Sequence, residues 1–85
     1  HYEAHYNLAN LYAEVGNQAL AKIHYSIAIE LEPEFPNSYF NLGLTLAVIK
    51  EYREAVQYLK KYRELAPAEE HPQADDLICK LSTTL

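Results

Sequence analysis

Apolar residues along the chain recur at the spacing of an α-helix, in stretches that a few Gly and Pro residues separate. Tyr39, Leu42 and Leu46, for example, lie at i, i+3 and i+7, so a helix places them on one face. The two Gly and four Pro residues are spread along the chain and leave long stretches without a helix breaker. The pattern predicts an all-α chain of five helices, at about residues 2–15, 18–32, 36–49, 52–66 and 72–84.

The sequence also matches itself when its second half is laid over its first. Similar residues then fall together, such as Tyr6 with Phe40 and Ala9 with Gly43. The offset is typical of helical solenoids, in which a unit of about 34 residues forms a pair of helices. We therefore expect one domain over residues 1–85, with a first unit at 2–35, a second unit at 36–69 and a capping helix at 71–85. The identical pairs are Asn7/Asn41, Leu8/Leu42, Ala13/Ala47, Ala21/Ala55, Glu30/Glu64, Leu31/Leu65 and Pro33/Pro67.

A pattern of aromatic, Leu, small, aromatic, Ala, aromatic, small and Pro positions runs through both units. In the first unit it reads His5, Leu8, Ala9, Tyr12, Ala21, Tyr25, Ala28 and Pro33; in the second it reads Tyr39, Leu42, Gly43, Leu46, Ala55, Leu59, Tyr62 and Pro67. This pattern resembles the tetratricopeptide repeat (TPR) family over about residues 2–69. The resemblance implies a right-handed superhelical fragment of two repeats and a cap.

Three positions depart from the family pattern. His5 stands where an aromatic residue is usual, and Leu46 stands where Tyr is usual. Tyr62 stands where Ala is usual, so we expect it either to push the neighbouring helix outward or to face a thinner one. The small residues Ala9, Gly43, Ala21 and Ala55 are expected where two helices cross closely.

The two ends of the chain are expected to differ. Ala74, Leu77, Ile78 and Leu81 form an apolar stripe on the last helix, whose other face is polar, as a terminal cap requires. The N-terminal face has no such cover, so we expect it to bind a second copy, giving a homo-oligomer, or a preceding repeat. The chain begins at His1 and contains no Met, so we expect a piece of a longer protein.

Composition excludes several classes of function. Seven Lys and Arg against twelve Asp and Glu give a net charge of −5, which argues against a nucleic-acid partner. No apolar run is long enough to span a bilayer, so no membrane partner is expected. Cys79 is the single cysteine, and it cannot form an internal disulfide. The composition is of a soluble, cytoplasmic type and leaves the compartment open.

Candidate chemistry is sparse, and we expect no enzyme, no cofactor and no metal site. His1 and His5 are four residues apart, but Tyr2 stands where the zinc-protease motif needs Glu. Cys79 has no neighbouring base, and no phosphate-binding loop or nucleophile elbow is present. The pair Asp75–Asp76 is interpreted as a helix-start feature favoured by the helix dipole.

The family resemblance implies instead a concave groove lined by the first helix of each unit, which holds a peptide or a helix. Phe40, Leu44, Ala47 and Val48 form a second apolar stripe beside the core stripe, which favours an interaction surface, although packing between helices is an alternative. The resemblance also places Ala13 and Glu14 on this groove face. The candidate groove residues are Tyr6, Asn7, Asn10, Phe40, Asn41, Leu44, Val48 and Asp76.

Two finer expectations concern the ligand. Asn7 and Asn41 are expected to form a ladder that holds a peptide backbone, or else to bond a neighbouring helix. Some TPR proteins bind acidic C-terminal tails through a clamp of Asn and cationic residues. Asn10 and Asn41 match that clamp, but Tyr6 and Asp76 stand where it has cations. We therefore expect no binding of such tails and a ligand with apolar side chains, with a basic residue near Asp75–Asp76.

The sequence thus predicts a non-catalytic protein–protein interaction module. The alternative is the C-terminal end of a longer TPR array that acts mainly in self-assembly, or as a scaffold beside another domain.

Overall fold

The computed structural model describes residues 1–84, and its helices match the predicted ones to within one residue at either end. No strand occurs among these residues. The all-α prediction is therefore confirmed, while Leu85, the last residue of the predicted cap, lies outside the described residues. The helices are α1 (Tyr2–Glu14), α2 (Gln18–Leu31), α3 (Pro36–Val48), α4 (Tyr52–Leu65) and α5 (His71–Thr84), with a short 3-10 turn at Ala68–Glu70 before α5.

Each helix packs mainly on its neighbours in sequence, so the chain forms two stacked helix pairs and a last helix. α1 packs on α2, α2 on α3, α3 on α4 and α4 on α5, while α1 and α3 touch only lightly. Tyr25, Leu42 and Leu46 are buried in the core between the pairs. This arrangement leaves α1 and α3 side by side along one surface of the molecule.

Small residues lie where the helices approach most closely, as predicted. A Cβ atom on Gly43 would lie 2.9 Å from Cγ of Leu59 and 3.4 Å from the carbonyl oxygen of Ala55, so a larger residue there requires the Leu59 side chain or α4 to shift. Ala9, Ala21 and Ala55 are fully buried in the same cluster. Close packing of this kind is sensitive to a single added methyl group.

The turn inside each helix pair uses a residue with left-handed backbone. Gly16 has φ of 85° after α1, and Lys50, at the equivalent position of the second pair, has φ of 65° after α3. Glycine adopts this conformation without steric cost, whereas lysine does not. The next residues differ as well: Asn17 caps α2 by accepting a hydrogen bond from the amide of Leu20, while Glu51 forms an ion pair with Lys22 across the two pairs at 3.0 Å.

The last helix covers α4, but its acidic pair does not start it. α5 begins at His71, so the prediction that Asp75–Asp76 marks the helix start is wrong: both residues lie beyond the first turn. Asp75 instead accepts a hydrogen bond from Nε of Arg63 on α4 at 2.6 Å. Ala74 is fully buried in one cluster with Tyr62, so the large Tyr62 faces a small residue of α5.

Among residues 1–84, no helix combines the length and apolar character needed to cross a membrane.

Candidate functional site: a pocket between α1 and α3

A concave pocket of about 360 Å³ opens on the surface where α1 and α3 lie side by side. Its lining comes from the second halves of α1 and α3, with two residues of α2 closing the floor. It therefore lies on the face where the family resemblance implies a groove. The lining residues are Asn10, Ala13 and Glu14 of α1, Gln18 and Tyr25 of α2, and Asn41, Leu44, Thr45 and Val48 of α3.

Hydrogen bonds among four polar side chains hold the floor and one wall of the pocket together. The Asn41 amide Nδ2 donates to Tyr6 Oη at 2.9 Å and to Asn10 Oδ1 at 3.1 Å, which ties α3 to α1. The Tyr25 hydroxyl also donates to Asn10 Oδ1. Such a network fixes the amides before any ligand arrives, because each buried polar group that has a partner resists reorientation.

Two alternatives were expected for the Asn pair: a ladder that holds a peptide backbone, or a bond to a neighbouring helix. Asn41 shows the second, because it bonds helix α1. Asn7 is exposed on α1 and has no hydrogen-bond partner among the described residues. The network still leaves bonding capacity on the lining amides, because Asn41 Oδ1 and Asn10 Nδ2 make no hydrogen bond within residues 1–84. A ligand backbone can use one acceptor and one donor of this kind.

The second apolar stripe of α3 is divided between packing and exposure. The Phe40 ring packs on Tyr62 with a centroid distance of 4.9 Å, and Ala47 packs against the core. Leu44 and Val48 remain exposed, by 37% and 64%, and line the pocket. Packing between helices therefore accounts for Phe40 and Ala47, while Leu44 and Val48 form an exposed apolar rim of the pocket.

Charge in the pocket comes from one side chain. Of the described residues that line it, Glu14 alone is ionisable at neutral pH, and it forms no ion pair within residues 1–84. Burial, together with the nearby Tyr6 phenol and the Glu14 carboxylate, raises the pKa of Tyr25 to about 12, against the opposing effect of the Asn41 side chain. Tyr25 therefore stays a neutral donor at physiological pH.

Several of the eight candidate groove residues meet at this site. Asn10, Asn41, Leu44 and Val48 line the pocket, and Tyr6 stands behind it, bonded to Asn41 and packed edge-on against Phe35 at 5.1 Å.

The other three candidates lie outside the pocket. Asn7 and Phe40 are not part of its lining. Asp76 is exposed on α5 and paired with Lys80 at 3.0 Å. Because Asp75 and Asp76 both have cationic partners within the chain, the expected docking of a basic ligand residue beside them has no support in the structure.

Three lining residues escaped the sequence analysis: Gln18, Tyr25 and Thr45. Thr45 could have been predicted from the sequence, since it lies four residues after Asn41 and therefore on the same helix face. Tyr25 was named only as an aromatic position of the repeat pattern. Its ring is buried, and a buried tyrosine hydroxyl needs a partner, which here is Asn10. Gln18 gave no signal, because its position depends on how α2 leaves the turn.

A histidine pair lies away from the pocket. Nδ1 of His5 and Nδ1 of His24 are 3.1 Å apart, with one ring donating and the other accepting, and the His24 ring also stacks on Tyr12. His5 thus pairs with α2 rather than with His1. No group of three or more His, Cys, Asp or Glu side chains suited to a metal ion occurs in the described part of the chain.

Comparison with known proteins agrees with this architecture. Two family models described as Tetratricopeptide repeat match the chain, one over residues 2–35 and the other over residues 24–57. The first match spans α1, α2 and the loop after them; the second starts within α2 and ends within α4. No curated protein matches the chain. The chain therefore belongs to the tetratricopeptide repeat family, whose repeats generally act as modules of protein–protein interaction.

Proposed function

We propose that this chain is a non-catalytic module that holds a peptide or a helix of a partner protein in the pocket between α1 and α3. One observation carries the proposal. Leu44 and Val48 present exposed apolar surface at the rim of a pocket whose polar floor is already fixed by hydrogen bonds. Apolar surface beside a few fixed polar groups is the usual composition of a binding site.

The energetics favour a ligand with an apolar side chain at this rim. Burial of a Val or Leu side chain contributes about 1.5–3 kcal/mol. Since about 1.4 kcal/mol changes a binding constant tenfold, loss of both rim contacts weakens binding by about a hundredfold. The remaining donor and acceptor of Asn10 and Asn41 suit a ligand backbone, which makes part of the recognition independent of ligand sequence.

The test is a peptide-library selection on the wild-type chain and on a Leu44→Ser, Val48→Ser double variant. Leu11→Ser, Val15→Ser is the matched control, because Leu11 on α1 and Val15 just after it are both exposed and neither lines the pocket. Circular dichroism checks that all three proteins are helical. We expect the wild type and the control to select the same motif and the rim variant to lose it. Equal binding by the rim variant, or loss in the control, would contradict the proposal.

A second candidate function, self-assembly through the outer face of α1, has an observation of its own. Leu8 is 36% exposed on α1, whereas Leu42, its equivalent on α3, is 1% exposed beneath α2. Leu11 and Val15 continue this exposed stripe. Sedimentation at rising concentration tests it: association that Leu11→Glu abolishes supports the idea, and a monomer at every concentration rejects it.

A further inference from the structure

We infer that the ligand of the pocket carries a Lys or Arg side chain that pairs with Glu14, beside an aliphatic residue that packs on Leu44 and Val48. This inference rests on the proposed function and names the chemistry of its partner. It replaces the expectation of a basic residue at Asp75–Asp76, whose carboxylates already have partners in Arg63 and Lys80.

The charge of the pocket is negative and uncompensated. Glu14 lines it as the last residue of α1, is exposed, and has no ion-pair partner in the described residues. Glu14 and Tyr25 line the same pocket, so the carboxylate lies on the wall above the Tyr25 hydroxyl and the amides. A ligand anion would meet this carboxylate without a neutralising group, whereas a ligand cation would remove an unpaired charge.

Cations of the chain do not fill that role. Lys22 is paired with Glu51, and this contact raises the pKa of Lys22. Lys50 follows α3 but lines a separate depression formed by the α3–α4 turn. No Lys or Arg is part of the pocket lining. Within residues 1–84 no Lys or Arg competes for Glu14 in the pocket, so a ligand cation can pair with it.

Helix dipoles do not reverse this conclusion. The pocket lies near the carboxyl ends of α1 and α3, which contribute negative potential, and near the amino end of α2 at Gln18, which contributes positive potential. Because these contributions oppose each other, the full charge of Glu14 decides the sign.

The test is a phage-displayed random-peptide selection on the wild-type chain, on Glu14→Gln and on Glu14→Lys. Glu30→Lys is the matched control, because it makes the same charge change at an exposed α2 residue that does not line the pocket. Lys at position 14 suits the end of a helix, so the variant is expected to fold. The wild type and Glu30→Lys should enrich Lys or Arg near an aliphatic residue, Glu14→Gln should lose that enrichment, and Glu14→Lys should enrich Asp or Glu instead.

Binding of individual peptides gives the magnitude. For a selected peptide, exchange of its Arg for Glu should weaken binding to the wild type about two- to fivefold, the size expected for an exposed ion pair, and should improve binding to Glu14→Lys. An aliphatic motif with no basic residue, or a basic preference that survives in Glu14→Lys, overturns the inference and leaves the proposed function standing. Selection of no peptide by the wild type overturns both.

Discussion

The helix pairs α1–α2 and α3–α4 have the same arrangement one repeat apart, but residues at equivalent positions differ in burial and in contacts. Leu8 is partly exposed where Leu42 is buried, because α2 covers α3 while α1 has a helix on one side only. Where the two helices of the first pair cross, Ala9 lies in one cluster with Tyr25. At the equivalent place in the second pair, Gly43 lies against Leu59. The repeat thus sets where the backbone runs, and single residues decide which surfaces remain open.

The aromatic contacts of the two pairs differ in the same way. His5 and His24 meet in the first pair at the positions that Tyr39 and Tyr58 occupy in the second. The Tyr25 hydroxyl of the first pair bonds the pocket amide of Asn10, while the equivalent residue of the second pair, Leu59, has no polar atom to offer. The polar pocket floor therefore depends on the first pair, and the apolar rim depends on the second.

The largest expected effect comes from the equivalent leucines. Leu42→Ala should lower the free energy of unfolding by about 2–5 kcal/mol, because it leaves a cavity in the core. Leu8→Ala should lower it by about 1 kcal/mol or less, since that side chain already contacts solvent. Urea denaturation measures both. Equal losses of stability would show that the outer face of α1 is covered in solution, and would contradict the difference in burial between Leu8 and Leu42.

The next effect is a loss of folding stability at high pH, caused by ionisation of the Tyr25 phenol. Its pKa is raised from 10.0 to about 12 in the folded chain, so its contribution is complete below pH 10 and lost as the pH rises through 12. The loss is on the order of 2 kcal/mol. Burial also raises the pKa of Tyr39 and of Tyr62, so the Tyr25 part is the difference between wild type and Tyr25→Phe.

Unfolding free energies of the two proteins below pH 10 and near pH 12 give this difference. We expect Tyr25→Phe to be the less sensitive to alkali, because it has no phenol to ionise at the pocket floor. The same alkaline loss in both proteins would place the effect in the second helix pair instead.

The smallest effect concerns the left-handed turn residues. Lys50→Gly should raise the free energy of unfolding by about 1 kcal/mol, because lysine is strained at φ of 65°. Gly16→Ala should lower it by a similar amount. Thermal or urea denaturation of the two variants measures the change. A destabilised Lys50→Gly would mean that the lysine side chain makes a contact that outweighs its backbone strain.

Most of the fold could be predicted because helices of this kind depend on local spacing. The apolar stripes, the Pro positions and the internal repeat indicated helix bounds that agree with the structure. The acidic pair of α5 was the exception: Asp75 and Asp76 were interpreted as a helix-start feature, but α5 begins at His71 and its first turn holds no acidic residue.

The candidate site could be predicted only in part, because contacts across helices are not local. The groove face of α1 and α3 followed from helical position, and four of the candidates line the pocket. Which atoms of Asn41 are bonded, whether Tyr62 covers Phe40, and whether Asp75 is paired all depend on side chains more than ten residues away in sequence. Glu14 lies on the groove face that the resemblance implied, but its lack of an ion-pair partner within residues 1–84 could be recognised only from the structure.

The most direct test of the binding pocket is an NMR titration of the isotope-labelled chain with a peptide selected by the wild type. We predict that the largest chemical-shift changes fall on backbone amides around Asn10, Glu14, Asn41 and Val48. These changes should vanish in the Leu44→Ser, Val48→Ser variant. Shift changes centred on Leu8, Leu11 and Val15 would contradict this prediction, because they would place the partner on the outer face of α1.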